Sequence, residues 1–451
     1  FSVVAKISEI QEQGILTDSL SVFEIREKAQ KDVKKTFDEW FSRMDELRRE
    51  DRFDQYMNTI THQFDPHSEY FSPKENFDIQ MGNKLEGIGA RLQKAGDFVK
   101  IFSIVPGGPA WKGKDLKVDD VILSVRQKDE HDAVDITGMR LDDVISMIRG
   151  PKGTTVILNV KRLDGTLHAV MIERDEVILD DAAAKSMIIS AEGYNDKIGY
   201  IQLPIFYSTF DGGNSCANDI VEELEKLKRE EVNGVILDLR YNGGGSLPDV
   251  IEMAGLFIEK GPVVQVKSRD GKPEVQYDPD PTVTYDGPLI LMVNEVSASA
   301  SEILAAALQD YGRAIIVGGD KTFGKATVQG VYNLDRMIRG ETDVKPLGQI
   351  KLTTQKFFRI NGKSNQLKGV VPDIHLPDQF DFMEYGEDLY EDALSYSEIN
   401  AVNFGQDVYK VKAKETLAKK SASRVANSDF FDKVQEYGEL VEQREDDTEI
   451  S

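Results

Sequence analysis

Cysteine is nearly absent: the 451 residues contain one, Cys216. A lone cysteine makes no internal disulfide, no thiolate zinc cage and no iron–sulfur site. It suits a cytosol and a periplasm equally. Histidine is scarce, at five, and tryptophan stands at two. No apolar run reaches the roughly 18 residues a bilayer-spanning helix needs. Basic residues are outnumbered, 55 Lys and Arg against 79 Asp and Glu, giving a formal net charge of −24. Nucleic-acid affinity rests on neutralising phosphates with Lys and Arg, so that partner class is excluded. Beyond this, the charge describes only a surface that repels anions.

What is present is ordinary for a globular protein, with 40% hydrophobic and 30% charged residues. At about 100–200 residues per domain, the length allows about three domains. The first residue is Phe, which sets the expectation of a processed or excised product.

Residues 1–80 read as helical. From Ile25 to Leu47 the apolar residues Val33, Phe37, Trp40, Phe41 and Met44 recur at three- and four-residue spacing, an amphipathic stripe. Asp65-Pro66-His67-Ser68 punctuates its end. His62 and His67 lie five apart, which is not the spacing of two ligands on one helical face, so they read as polar turn residues. Over 85–175 short strands are expected at Phe98–Ile104, Val121–Val125 and Thr155–Val160, with one helix over Leu141–Ile148 stopped by Gly150-Pro151-Lys152-Gly153. Residues 196–375 alternate strand and helix, the pattern of an α/β core with a largely parallel sheet. The tail from 380 is acidic and helical in its second half.

Ligands in α/β sheets bind beyond the carboxyl ends of strands, and three segments qualify. In Asp238-Leu239-Arg240-Tyr241-Asn242-Gly243-Gly244-Gly245 a strand runs into three glycines. Such a turn suits an oxyanion hole and equally a plain tight turn. Asn294-Glu295-Val296-Ser297-Ala298-Ser299-Ala300-Ser301-Glu302 follows a strand and opens a helix. On spacing alone its S-x-x-E run reads as a capping box ahead of a nucleophile. Gly319-Asp320-Lys321-Thr322-Phe323-Gly324-Lys325-Ala326 nearly matches a phosphate-binding loop. However, Ala326 offers no hydroxyl, and Thr327–Tyr332 is strand-like where a helix N-terminus is required. A desolvated Lys325 beside Ser299 would instead lose its proton and act as a base. Gln329, four residues on, shares its face if the segment is a strand and would orient it. No G-x-S-x-G elbow exists, and of the histidines only His375 lies near the end of the core.

These segments together resemble the carboxyl-terminal processing (tail-specific) proteases. The resemblance rests on Ser297–Ile303, Ala305–Ala314, Thr322–Lys325, Val328-Gln329, Asp238–Gly245 and Gly369-Val370-Val371-Pro372-Asp373. Asp65–Phe71 resembles the segment these enzymes carry ahead of a PDZ module, and Glu391-Asp392-Ala393-Leu394 the longer bacterial members. The implied fold is an α/β protease core over 176–380 with a mixed, mainly parallel sheet. A PDZ-like α+β domain is inserted over 85–175, with a helical segment over 1–80 and an acidic, mostly helical one over 381–451.

The resemblance implies Ser299 as nucleophile, Lys325 as general base and Gln329 as its orienting partner, with oxyanion donors from the backbone of Gly243, Gly244 and Ala300. It implies a peptide site at Gly87, Ile88, Gly89 and Ala90 with Leu141, Ile145 and Ile148. There an apolar, unstructured C-terminus adds as a strand. Asp119 stands where the family has Gly, and a left-handed turn is expected to survive there. No cofactor and no metal is expected. Partners are proteins or peptides with free apolar C-termini, with room for an adaptor or a homo-oligomer. The compartment implied is the bacterial periplasm or cell envelope. The alternatives are a catalytically silent PDZ scaffold and, on Gly319–Lys325 only, a nucleotide binder.

Overall fold

Apolar strands and amphipathic helices set the architecture of the computed structural model. It describes residues 22–73, 84–178, 183–190, 193, 195–208, 215–340, 345–405 and 408–446. The helical reading of 1–21 and 74–80 lies outside the described residues. The described chain falls into two compact units, 22–60 with 442–446, and 61–441.

The first unit holds helix α1 (Val22–Asp45) and most of α2 (Arg49–His62). The helical period is as expected, but the stripe is not buried. Phe37, Trp40, Phe41 and Met44 are all about half exposed, and Trp40 and Phe41 pack edge to face at 5.0 Å.

The second unit opens with Asp65-Pro66-His67-Ser68 and the short strand β1 (Glu69–Phe71). A small domain follows. Strand β2 (Lys84–Gly87) leads in, and β3 (Ala90–Ala95), β4 (Phe98–Ile104), β5 (Val121–Gln127), β7 (Thr155–Lys161) and β8 (Leu167–Glu173) make an antiparallel sheet in that order. The two-residue β6 (Val134–Asp135) pairs with β5, and α3 (Pro109–Gly113) fills a connection. Helix α4 (Leu141–Ile148) turns Val144 and Ile148 into the core with Val99, Ile101 and Leu158. Asp119 adopts φ 67, so the left-handed turn is present without glycine. β9 (Asp175–Ile178) pairs with β2 and closes the domain where the chain enters it.

The remaining residues build two sheets. β10 (Lys185–Ile189), β11 (Ile198–Gln202), β12 (Gly234–Asp238), β15 (Leu289–Met292), β16 (Ile315–Gly318) and β19 (Ile374–His375) form the first. All its pairs are parallel except β10 with β11. Its central strands are continuously apolar because helices cover them. α5 (Cys216–Arg229) contributes Ile220, Leu224 and Leu227 to this cover. α6 (Leu247–Gly255) adds Val250 and Met253. α7 (Ala300–Asp310) is buried from Ala300 through Leu308, which is why its sequence is Ala- and Leu-rich all round.

The second sheet was not foreseen. β13 (Gly261–Ser268), β14 (Glu274–Asp278), β17 (Thr327–Asn333) and β18 (Gln349–Phe358) are antiparallel, and β1 joins along β18. β17 lies on one side of β18, and β1 and β13 follow one another on the other. Helices α8 (Lys414–Val425) and α9 (Asp429–Asp446) end the described chain. Among the described residues no helix is long and apolar enough to cross a membrane.

Candidate active site

Strand β12 delivers the glycine turn. Asp238 at its end is held by Arg240 (Nη2 to Oδ2, 2.7 Å) and by the Tyr200 hydroxyl (2.6 Å). Asn242 follows, fully buried. Its Nδ2 donates to the Leu203 carbonyl at 2.8 Å, and its Oδ1 accepts the Gly244 N–H at 2.9 Å. Its own carbonyl accepts the Ala298 N–H at 3.0 Å and the Ser301 hydroxyl at 2.8 Å. One asparagine therefore joins the glycine turn to the serine turn. Gly244, at φ +103, leaves no room for a side chain: a Cβ there would lie 2.8 Å from both the Ala298 carbonyl oxygen and Ser299 Cβ.

The three serines differ in what they touch. Ser297 is buried, accepts the Asn294 N–H at 2.9 Å and donates to the Leu239 carbonyl at 2.9 Å. Ser301 is buried and bonded to Asn242. Ser299 alone is partly accessible, and it sits at φ 54, ψ −109. That backbone conformation costs a non-glycine residue about 1–3 kcal/mol and is concentrated at functional sites.

Glu302, one helical turn on, organises the rest. Its Oε2 accepts the N–H groups of Ser299 at 2.8 Å and of Lys325 at 2.9 Å. Its Oε1 accepts the Gly324 N–H at 2.8 Å and the Thr322 hydroxyl at 2.6 Å. Burial pushes its carboxyl up to about 7, against the pull of these four hydrogen bonds. The capping residue recognised in the sequence thus also anchors the lysine loop, a task the spacing did not announce.

Lys325 Nζ donates to Gln329 Oε1 at 2.7 Å. Burial draws the lysine down to about 8, opposed chiefly by Glu387 and also by Glu302 and Asp65, while Lys351 adds to the fall. The contact with Gln329 does not arise from plain strand alternation. Lys325 precedes β17, and a register irregularity falls between Val328 and Gln329. The Gln329 Nε2 group donates to Thr327 Oγ1 and Thr353 Oγ1, both at 2.9 Å.

Several expectations need correction. The Gly244 N–H is already donated to Asn242, whereas among the described residues no hydrogen bond takes up the Gly243 or Ala300 N–H. In the small domain, Ile88 and Ile148 are buried, at 4% and 3% exposure, and pack in its core. Leu141 and Ile145, one turn apart on α4, are partly exposed. Among the described residues β3 pairs only with β4, at the edge of the sheet. Gly89 at φ +70 packs against Gly108 and Pro109 at the head of that strand. His375 bonds Asp381 at 3.1 Å and lies 3.5 Å from Asp320. These three are the one group among the described residues with ligand atoms close enough to share a cation, and two of them are exposed. The Gly319 loop runs into strand β17 and lies against the carboxylates of Glu295 and Asp381, a setting that repels phosphate. Asp65, His67, Thr353 and Glu387, all close to the lysine network, were missed as site residues. The sole signal for Asp65 and His67 was their place in a turn motif.

The peptidase family S41 model matches residues 197–376. The tail specific protease N-terminal domain matches 6–74, the PDZ domain 76–161, and the C-terminal domain of tail specific protease 380–451. The tail-specific protease of Haemophilus influenzae is 38% identical over 410 residues, covering 90% of this chain and 57% of that protein. The carboxy-terminal processing protease CtpA of Bacillus subtilis is 32% identical over 320 residues, 70% of this chain and 62% of that one. The carboxy-terminal-processing protease of Bartonella bacilliformis is 31% identical over 322 residues, 70% of this chain and 68% of that one. The chain thus spans 57% and 62% of the length of the first two of these relatives.

Proposed function

The chain belongs to peptidase family S41, among the tail-specific and carboxy-terminal processing proteases, and on that footing we propose that it is a serine endopeptidase cutting proteins near apolar, unstructured C-termini. Ser299 is the nucleophile. Neutral Lys325 takes its proton as the Oγ attacks the scissile carbonyl. The developing oxyanion is received by the N–H groups of Ala300, at the start of α7, and Gly243. The lysine ammonium then returns the proton to the leaving amine, and an acyl-enzyme on Ser299 remains. Water, deprotonated by the same lysine, releases it. Gln329 Oε1 holds Nζ in place throughout.

One observation carries this reading. Of three serines at alternate positions, two are buried in hydrogen bonds to the backbone, while Ser299 is accessible on a strained backbone. Its N–H shares a carboxylate with the N–H of Lys325. A lysine held near 8 supplies free amine at neutral pH, which an unperturbed lysine does not.

The PDZ domain captures the substrate tail as an added strand along the edge strand β3. Its carboxylate meets the Gly87–Ala90 turn, and Leu141 and Ile145 flank the last side chains. The compartment implied by the family is the bacterial periplasm or cell envelope. The test is cleavage of an unfolded protein with an apolar tail by the chain and by Ser299→Ala and Lys325→Ala. Each variant is expected to lose it. Cleavage retained by either overturns the assignment.

A further inference from the structure

The side chain of Gln329 is useful to a lysine base in only one orientation. With its carbonyl toward Nζ it accepts a lysine proton and leaves the nitrogen lone pair free for Ser299. Turned over, its NH₂ would donate into that lone pair and oppose the ammonium. What decides the orientation lies outside the triad. The two N–H bonds of Gln329 Nε2 go to Thr327 Oγ1 and Thr353 Oγ1. The Thr353 hydroxyl has a single proton, and it donates that proton to Asp65 Oδ1 at 2.8 Å. Its oxygen is therefore left to accept from Gln329. Asp65 is buried, at 3% exposure, and acts as acceptor to three donors: Thr353, the His67 N–H at 2.9 Å and the Ser68 hydroxyl at 2.5 Å.

We propose that Asp65 is a positioning residue for the reaction: acting through Thr353, it fixes which end of the Gln329 amide faces Lys325. The direction of every bond in the relay follows from its terminus. A carboxylate accepts, so Thr353 donates to it and accepts from Gln329, and Gln329 presents its oxygen to Nζ. The same turn steadies the lysine a second time. His67 Nε2 pairs with Glu387 Oε2 at 2.7 Å, Glu387 Oε1 accepts from Gln366 Nε2 at 2.9 Å, and Gln366 Oε1 accepts the Ala326 N–H at 2.8 Å. The turn Asp65–Ser68, whose Asp65 lies 260 positions before the base in the chain (325 less 65), thus reaches both its side-chain partner and the backbone of the next residue, Ala326.

This inference rests on the protease reading above, and its test separates the two. Cleavage of an unfolded apolar-tailed protein is followed from about pH 6 to about pH 10 for the whole chain, Ser299→Ala, Thr353→Val, Thr353→Ser and Asp65→Asn. Thr353→Val keeps the shape but removes the hydroxyl. It leaves in place the charges among the described residues that act on Lys325, namely Glu387, Lys351, Glu302 and Asp65. It is expected to lower kcat about tenfold or more, to leave KM within about twofold, and to move the rising limb of the pH profile to lower pH, because the ammonium loses its acceptor. Thr353→Ser is expected to restore kcat and the limb, which a packing role would not require. Asp65→Asn is expected to follow Thr353→Val in kcat, and if it does not fold, the two Thr353 variants decide alone. A Thr353→Val enzyme with unchanged kcat and limb, beside an inactive Ser299→Ala, overturns the relay alone. So does equal loss in Thr353→Val and Thr353→Ser. Cleavage surviving in Ser299→Ala overturns the protease reading and the relay with it.

Discussion

Ser299 and Lys325 are held by the same oxygen: Glu302 Oε2 accepts both backbone N–H groups, at 2.8 and 2.9 Å. The two residues arrive on different loops, one ahead of α7 and the other ahead of β17, and the buried carboxylate holds both loops. Glu302→Gln keeps the shape but turns an NH₂ group toward N–H donors. The expected cost is about 2–4 kcal/mol of stability, read as a shift of the denaturant midpoint. Misalignment of the two groups is expected to lower kcat about 100-fold.

Under the proposed mechanism the lysine sets the pH dependence of the rate. Its working form is the neutral amine, so kcat/KM is expected to rise with pH through about 8, where burial holds Lys325, and then level off. A rate flat from about pH 5 to about pH 10 contradicts a lysine base.

The same two groups give stability slopes of opposite sign. Glu302 is raised from 4.5 to about 7, so the native state keeps a proton that the unfolded chain has lost. Stability falls as pH rises through that window. Lys325 is lowered from 10.5 to about 8, so the unfolded chain holds the extra proton and stability rises between those values. Denaturation of wild type and Lys325→Met at a series of pH values checks this. The alkaline rise should be weaker in the Met variant.

Gly244→Ala tests the approach of the glycine turn to Ser299. The added Cβ would meet Ala298 and Ser299 at 2.8 Å, on a backbone at φ +103. The expected outcome is a loss of about 1–3 kcal/mol and of cleavage. Gly243→Ala, with open space around it, is expected to be milder in stability.

In the PDZ domain two isoleucines of α4 differ in exposure, and under the proposed peptide site they are expected to differ in role. Ile145→Glu is expected to abolish binding of a peptide with a free apolar C-terminus while the melting temperature changes little, because Ile145 is partly exposed. Ile148→Ala is expected to destabilise by about 2–5 kcal/mol, since Ile148 is 3% exposed. Fluorescence anisotropy with a labelled peptide, and with its C-terminal amide as control, distinguishes the two.

Much of this site was readable from residue order because local rules carried it. Leu141–Ile148 is helical by period, Thr327–Asn333 is a strand by its β-branched residues, and the strand-to-helix turns hold the glycines and serines. Long-range pairing was not readable. β13, β14 and β18 make an antiparallel sheet whose partners lie far apart in sequence, and no periodicity encodes which strand meets which. The relay from Asp65 was hidden for the same reason, since Thr353 and Asp65 become neighbours only when β1 pairs with β18. Glu302 shows a further limit. The spacing marks it as the cap of α7 through the Ser299 N–H, but its bonds to Thr322, Gly324 and Lys325 depend on a loop 20 or more residues away.

The pairing of β1 with β18 bears on where this chain can be cut. The stretch matching peptidase family S41, 197–376, does not contain all the partners of its own sheet and lysine network. Excised, it would lose Glu69–Phe71 from the flank of Gln349–Lys351 and open that part of β18 as a bare sheet edge, a site for aggregation. It would also lose Asp65 from one side of the chain and Glu387 from the other. Engineering that moves this chemistry onto another scaffold must carry both flanking segments with it.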